Sequence, residues 1–243
     1  MSAPNRPVAV GVVLAAGMGT RVGADGNKAY LPLAGRSMVS WAVEAVNRST
    51  NIGRTILVYR RGERELAAGT LAAELPDATV ELVEGGDTRH GSEENVLAHL
   101  AHDIDSGRID VVLIHDAARP LAGPEMMDIA LTTARAHGGA IPVTATEDVV
   151  KCVAGEPISP VEGTLVRVQT PQAFRARPLL AAYRLAVGAS FDGTDTSACV
   201  QRFTDTDVRV FPGASTNLKV TYARDVQIAE RLLAERINRP HQR

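Results

Sequence analysis

The sequence predicts an α/β protein built on a doubly wound, mostly parallel β-sheet, with a β-hairpin arm protruding from it. Three observations carry this expectation. Short Val/Ile/Leu-rich runs bounded by glycine or turn residues alternate with segments of helical period. Those runs lack a polar alternate face, as strands covered on both sides do. The alternation loosens from Thr144 to Arg167, where "EDVVKCV" and "TLVRVQT" flank the turn-rich "AGEPISPVEG", the pattern of a hairpin.

Taken in order, "VAVGVVL" reads as the first buried strand, and Ser37 caps a helix over "MVSWAVEAV". "TILVY" is the next strand, Glu63 to Glu74 a helix, and "ATVELV" a third strand. Ser92 is expected to start the helix containing "EENVLAHLA". "DVVLI" is again a buried strand, and Pro124 opens a helix running to about Ala136, since proline suits a first helical turn. "GAIPV" is a short strand before the arm. Beyond Pro178 come helices, the extended segments "DVRVF" and "NLKV", and a closing helix over "ARDVQIAERLLAERI".

A chain of 243 residues, 45% of them hydrophobic, suits a single domain over 1–243, with the arm at 144–168 an excursion within it. The 26 basic and 28 acidic residues leave a net charge of -2, which argues against a nucleic-acid partner. Cys152 and Cys199 are far apart and make no metal-ligand spacing. The longest apolar run, Val8 to Gly17, is too short to span a bilayer, and "MSAPNRP" has no signal-peptide pattern. The expectation is a cytoplasmic protein with reduced thiols and no membrane partner.

The chemistry starts at "VVLAAGMGTR". A glycine loop after the first strand of an open α/β sheet lies at the carboxyl edge, where such sheets bind ligands. A Walker loop needs Gly-Lys-Ser or Gly-Lys-Thr, which is absent. A dinucleotide fingerprint needs a third glycine where Val22 stands and an acidic end to the second strand, which instead reads "VYRR". What remains is Gly17 and Gly19, whose bare Cα atoms let backbone N–H groups approach phosphate oxygens, with Arg21 and Lys28 beyond them. Glycine spacing alone fits equally a tight strand-to-helix turn carrying two solvated charges.

"LAAGMGTR" with Lys28 downstream resembles nucleotidyltransferases that make sugar or polyol nucleotides from a nucleoside triphosphate. With "GGDTRHGS" (85–92), "HDAARP" (115–120), "QTPQAF" (169–174) and "NLKVT" (217–221), the order of segments is similar to the 2-C-methyl-D-erythritol 4-phosphate cytidylyltransferase family. The similarity extends from about Val8 to Ile237 and implies a Rossmann-like nucleotidyltransferase fold. It also implies attack by a polyol phosphate on the α-phosphorus of CTP, with Mg²⁺ as the divalent cation and a homodimer joined through the arm. The nucleophile is already anionic, so holding two polyanions in line and stabilising transition-state charge suffices.

Carried over residue by residue, the resemblance makes Arg21 and Lys28 catalytic. It gives Ala15, Ala16, Gly17, Gly19, Gly86, Asp87 and Ser92 to CTP, and Asp116, Arg119, Thr170 and Lys219 to the acceptor. Mg²⁺ is expected mainly on the triphosphate, with Asp116 a further ligand for it. On residue chemistry alone, Ser92 also reads as a helix cap, Asp116 as a local partner of Arg119, and Lys219 as an edge-strand lysine. His115 reads as structural.

The chain departs from the family on the acceptor side. Val149 stands where relatives carry a threonine in Asp-Thr-x-Lys, and Glu162 where they carry an arginine; both family residues reach the acceptor phosphate from a neighbouring subunit. "NKAYLPL" replaces the usual Pro-Lys-Gln. Two other readings stay open: transfer to ribitol 5-phosphate or another polyol phosphate, and a paralogue that binds nucleotide without turnover.

Overall fold

The computed structural model describes residues 7–17, 26–147, 149–151, 159–161, 163–189 and 191–238. The expected alternation is present. β1 (Val8–Leu14) is followed by the short strands β2 (Pro32–Leu33) and β3 (Arg36–Ser37), then α1 (Met38–Asn47), β4 (Ile52–Tyr59) and α2 (Arg64–Glu74). β5 (Val80–Glu84), α3 (Arg89–Asp105), β6 (Ile109–Asp116), α4 (Pro124–His137) and β7 (Gly138–Ala145) come next. The second half comprises β8 (Val150–Lys151), β9 (Ser159–Pro160), β10 (Val166–Val168), β11 (Gln172–Arg175), α5 (Ala176–Gly188), α6 (Thr196–Phe203), β12 (Asp207–Pro212) and α7 (Ala223–Asn238).

Eight strands share one sheet. Its centre, in the order β6–β1–β4–β5, is parallel throughout. β12 adds in parallel along β7, while β11 runs antiparallel between β6 and β7. β10 pairs antiparallel with the end of β7, and β8 and β9 form a separate antiparallel pair. These lie within the expected 144–168 arm, of which Asp148, residues 152–158 and Glu162 lie outside the described residues.

The unbroken apolar strands have a direct cause, because each face of the sheet packs on its own helices. Ala9, Val13, Leu57, Val111 and Leu113 meet α1, α2 and α4, whereas Val10, Val12, Ile56, Val112 and Ile114 meet α3, α5 and α6. A smaller cluster packs Leu33 and Met38 against Val220 and α7 through Ala229 and Leu233. Cys199 is a buried free thiol of the second cluster. Among the described residues no helix is long and apolar enough to cross a membrane.

Three local expectations change. Thr88, not Ser92, caps α3, accepting from the Gly91 N–H at 3.0 Å, so Ser92 falls within the first turn. "QAFR" forms β11, a strand too short to announce itself, and "NLKV" carries no strand. Ser37 does cap α1, accepting from the Ser40 N–H, and its own hydroxyl donates to Glu74.

Because β1, β4, β5 and β6 are parallel, their carboxyl ends open on one edge. The loops there extend the ladder before diverging: Ala15 N–H donates to Val58 O, Gly85 N–H to Tyr59 O and Ala117 N–H to Leu14 O, at 2.9, 2.8 and 3.0 Å.

Candidate active site

A cavity of about 380 Å³ occupies this edge. Its walls are the loop after β1 (Ala15, Ala16, Gly17), the segment Asn27 to Ala29, the stretch from Gly86 to Ser92, the turn from Asp116 to Ala118, and Lys219. Five segments scattered through the sequence thus meet at one place. Gly19 and Arg21 lie outside the described residues.

Lys28 opens a one-turn 3₁₀ helix capped by Asn27, whose Oδ1 accepts from the Ala29 N–H at 3.0 Å. Asn27 is itself buried, and its Nδ2 donates to Ala15 O at 2.6 Å and to Glu63 Oε2 at 2.7 Å. This asparagine, which the sequence marks only as a departure from Pro-Lys-Gln, ties the lysine turn to the loop leaving β1. The Lys28 ammonium donates to Val220 O at 3.0 Å, so it reaches the segment that carries Lys219.

The glycines after β5 are there for close approach. A Cβ on Gly85 would stand 2.5 Å from the Ala16 Cβ, and one on Gly86 would stand 2.6 Å from the Gly91 carbonyl carbon. Ser92, buried, accepts from the Gly86 N–H at 3.1 Å and donates to Thr88 O at 2.9 Å, clamping the loop onto α3. Asp87 points outward, its side chain 91% exposed and 3.8 Å from Arg61.

Asp116, at the end of β6, is the buried charge of the cavity. Its Oδ2 accepts from Lys219 at 2.7 Å and its Oδ1 faces Arg89 Nε at 3.5 Å. Burial opposes ionisation, but Lys219 and Arg89, with Arg119 further off, outweigh it and hold the carboxyl far below the usual range. Arg89 was not singled out by sequence reasoning; its signal is a basic residue directly after Gly-Gly-Asp-Thr, at the first position of α3.

Thr170 and Arg119 belong to the frame around Asp116. Thr170 lies behind Asp116 instead of on the cavity wall: its Oγ1 accepts from the Asp116 N–H at 3.0 Å and lies 3.1 Å from His115 Nδ1. Arg119 does not pair with Asp116. It donates to Asn217 O at 2.7 Å and to Val168 O at 3.4 Å, and its buried Nε has no hydrogen-bond partner among the described residues. Asn217 continues the frame by donating to Thr170 O at 2.9 Å and to Gln169 Oε1 at 3.2 Å, which anchors the stretch leading to Lys219.

His115 is fully buried beneath this frame, with Nε2 3.1 Å from Arg119 O. A neutral ring protonated on Nε2 satisfies every partner, donating to Arg119 O and accepting from Thr170. Burial pulls its pKa down from 6.5 to about 4.

The donor set can be tested against a metal ion. Among the described residues no three His, Cys, Asp or Glu side chains gather closely enough to hold one. Both Asp116 oxygens already face cations, so this carboxylate fits an ion brought in on a polyphosphate better than one held by the protein alone.

A mostly parallel sheet with glycine loops and three cations gathered at its carboxyl edge is the layout of a nucleotidyltransferase. The comparisons narrow the class. The family model described as "IspD: 2-C-methyl-D-erythritol 4-phosphate cytidylyltransferase" matches residues 9–235. A protein of that name from Cereibacter sphaeroides is 38% identical over 225 residues, covering 92% of this chain and 96% of the relative. One from Geobacillus kaustophilus is 32% identical, with 93% and 97% covered. Among solved structures, the 4-diphosphocytidyl-2C-methyl-D-erythritol synthase from Anaerococcus prevotii DSM 20548 superposes with a TM-score of 0.81 at 26% identity, covering 94% of this chain and 96% of that one. The chain belongs to the 2-C-methyl-D-erythritol 4-phosphate cytidylyltransferase family, enzymes of the non-mevalonate isoprenoid pathway.

The His115 environment predicts a pH effect on stability. Between pH 6.5 and about 4 the unfolded chain binds a proton that the folded ring refuses. Stability therefore falls as the pH drops through this window, by up to ~3 kcal/mol from this residue. Urea unfolding from pH 7 to 4 reads the slope, and His115→Gln is expected to flatten it.

Proposed function

We propose that this chain transfers CMP from CTP to 2-C-methyl-D-erythritol 4-phosphate, forming 4-diphosphocytidyl-2-C-methyl-D-erythritol and pyrophosphate. The observation that carries the reading is a buried carboxylate, Asp116, set among the cations Lys28, Lys219 and Arg89 in the glycine-walled cavity of a chain of this family.

Gly17 and Gly19 offer backbone to the triphosphate, while Gly86, Asp87 and Ser92, with Ala15 and Ala16, receive the cytosine. The acceptor's phosphate oxygen forms the new P–O bond at the α-phosphorus as the bond to pyrophosphate breaks, and no proton has to move. Arg21 and Lys28 neutralise charge on the triphosphate and on the five-coordinate transition state. Asp116 accepts a hydrogen bond from a polyol hydroxyl. Lys219 meets the acceptor phosphate, with Arg119, whose buried Nε lacks a partner among the described residues, beside it, while Thr170 supports Asp116 from behind. Mg²⁺ bound on the triphosphate would supply further charge neutralisation there, with Asp116 the carboxylate that would help hold it.

Pyrophosphate release tests the reading, with CTP and Mg²⁺ supplied alongside methylerythritol phosphate, ribitol 5-phosphate or other polyol phosphates. Turnover is expected with methylerythritol phosphate. Turnover with ribitol 5-phosphate alone would reassign the acceptor, an outcome made concrete by Val149 and Glu162 at family phosphate-contact positions. CTP binding without turnover on any acceptor would leave a nucleotide-binding paralogue. Lys28→Ala is expected to lower kcat about a hundredfold, the scale of one transition-state charge stabiliser, with a smaller change in the KM for CTP. Wild-type turnover in that variant would remove Lys28 from the mechanism.

The same proposal makes the protein a cytoplasmic homodimer joined through the 144–168 arm. The exposed Val166 and Val168 of β10 support it. Sedimentation equilibrium is expected to give twice the chain mass, and Val166→Lys with Val168→Lys to shift it toward one; a monomeric wild type would reject the arm interface.

A further inference from the structure

Glu93 is a buried carboxylate that the transfer chemistry leaves unused. It lies one turn into α3 with its side chain 1% exposed. Three donors converge on it from three helices. Arg89 Nη1 donates at 2.7 Å from the start of α3, Thr196 Oγ1 at 2.5 Å from the first residue of α6, and the Tyr183 hydroxyl from α5. Tyr183 is fixed in turn by stacking on His90, with ring centroids 4.5 Å apart.

A carboxylate packed against α5 and α6 is a poor choice for packing alone, because an apolar side chain of similar volume usually stabilises such a site at least as well. Its ion-pair partner is the informative feature. Arg89 stands at the N-terminus of α3, where the helix dipole repels a cation, and its Nε faces Asp116 Oδ1. Burial raises the Glu93 pKa, but Arg89, Thr196 and Tyr183 all donate to it and favour the charged form, in which it counters that repulsion and holds one side of the guanidinium while Asp116 receives the other. The chain of contacts runs from Thr196 and Tyr183 through Glu93 and Arg89 to the carboxylate that faces the acceptor.

We infer that Glu93 is a positioning residue: it fixes the Arg89 guanidinium against Asp116 and so sets how Asp116 presents its carboxylate to the polyol. This rests on the acceptor reading above for its consequence, though not for its geometry. A protein that only needed α3, α5 and α6 joined would not depend on Arg89 for the effect of Glu93.

The test combines kinetics with a measurement on the ligand-free protein. Glu93→Gln is expected to keep the KM for CTP within about twofold and to lower kcat/KM for the polyol phosphate about tenfold or more. In an Arg89→Ala background, adding Glu93→Gln is expected to cost nothing further; additive losses, or wild-type kinetics in Glu93→Gln, would overturn the inference. Tyr183→Phe removes one donor while keeping the ring, and a smaller loss in the same parameter is expected should Glu93→Gln fold poorly by thermal melting. Independently of turnover, the ¹⁵N–¹H resonance of Arg89 Nε, assigned by its disappearance in Arg89→Lys, is expected to shift and broaden in Glu93→Gln. An unchanged resonance sinks the inference whatever the acceptor, whereas a wild type inactive on every polyol phosphate sinks only the transfer reading.

Discussion

The site depends on one ionised carboxylate at the end of the central strand β6. Lys219 and Arg89 come from segments far apart in sequence, and neither would rest beside the other without an anion between them. Asp116 is that anion, and the two cations are what keep it charged despite burial. The dependence is mutual. Once β6 fixes Asp116, the loop after β12 and the first turn of α3 have an electrostatic address. An incoming polyanion meets cations already gathered, with only their shared counter-charge to contend with.

The backbone explains why this occurs where it does. Going outward from β1, the chain builds β4 and β5 on one side and returns with β6 on the other. The loops leaving β1 and β6 therefore diverge, and a crevice opens between them at the switch point. The Ala117 N–H bond to Leu14 O closes its floor. Antiparallel β11 then runs beside β6, which brings Thr170 under Asp116, and His115 fills the remaining space with both nitrogens engaged. Thr170, which the family resemblance assigns to the acceptor, stands here in the floor of the cavity.

What the sequence disclosed follows from range. Strands buried on both faces have to be apolar throughout, so β1, β4 and β6 were legible from composition. Ser37 and Pro124 mark helix starts because a cap is a local bond. At α3 the same logic meets two hydroxyls four residues apart: Thr88 takes the Gly91 N–H, which leaves Ser92 for the Gly86 loop. Glu93 was invisible because Thr196 and Tyr183, which give it its meaning, lie 103 and 90 residues away. Arg119 shows how little proximity in sequence fixes a side chain's partner. Its backbone N–H does bond Asp116 O at 2.9 Å, but that turn directs the guanidinium toward the carbonyls of Asn217 and Val168.

The same arrangement suits a site that places charge and moves no protons. A general base near neutral pH needs a pKa close to that pH and a free lone pair facing the substrate. Asp116 is held far below that range by the cations it serves. His115 titrates near 4, behind the wall, with each nitrogen committed to a neighbour. Burial pushes Tyr30 up to about 12, helped by Glu63, and so keeps its hydroxyl protonated. Each of these groups is tuned away from proton transfer by its surroundings, and a phosphate nucleophile that arrives already ionised is the substrate such a site suits.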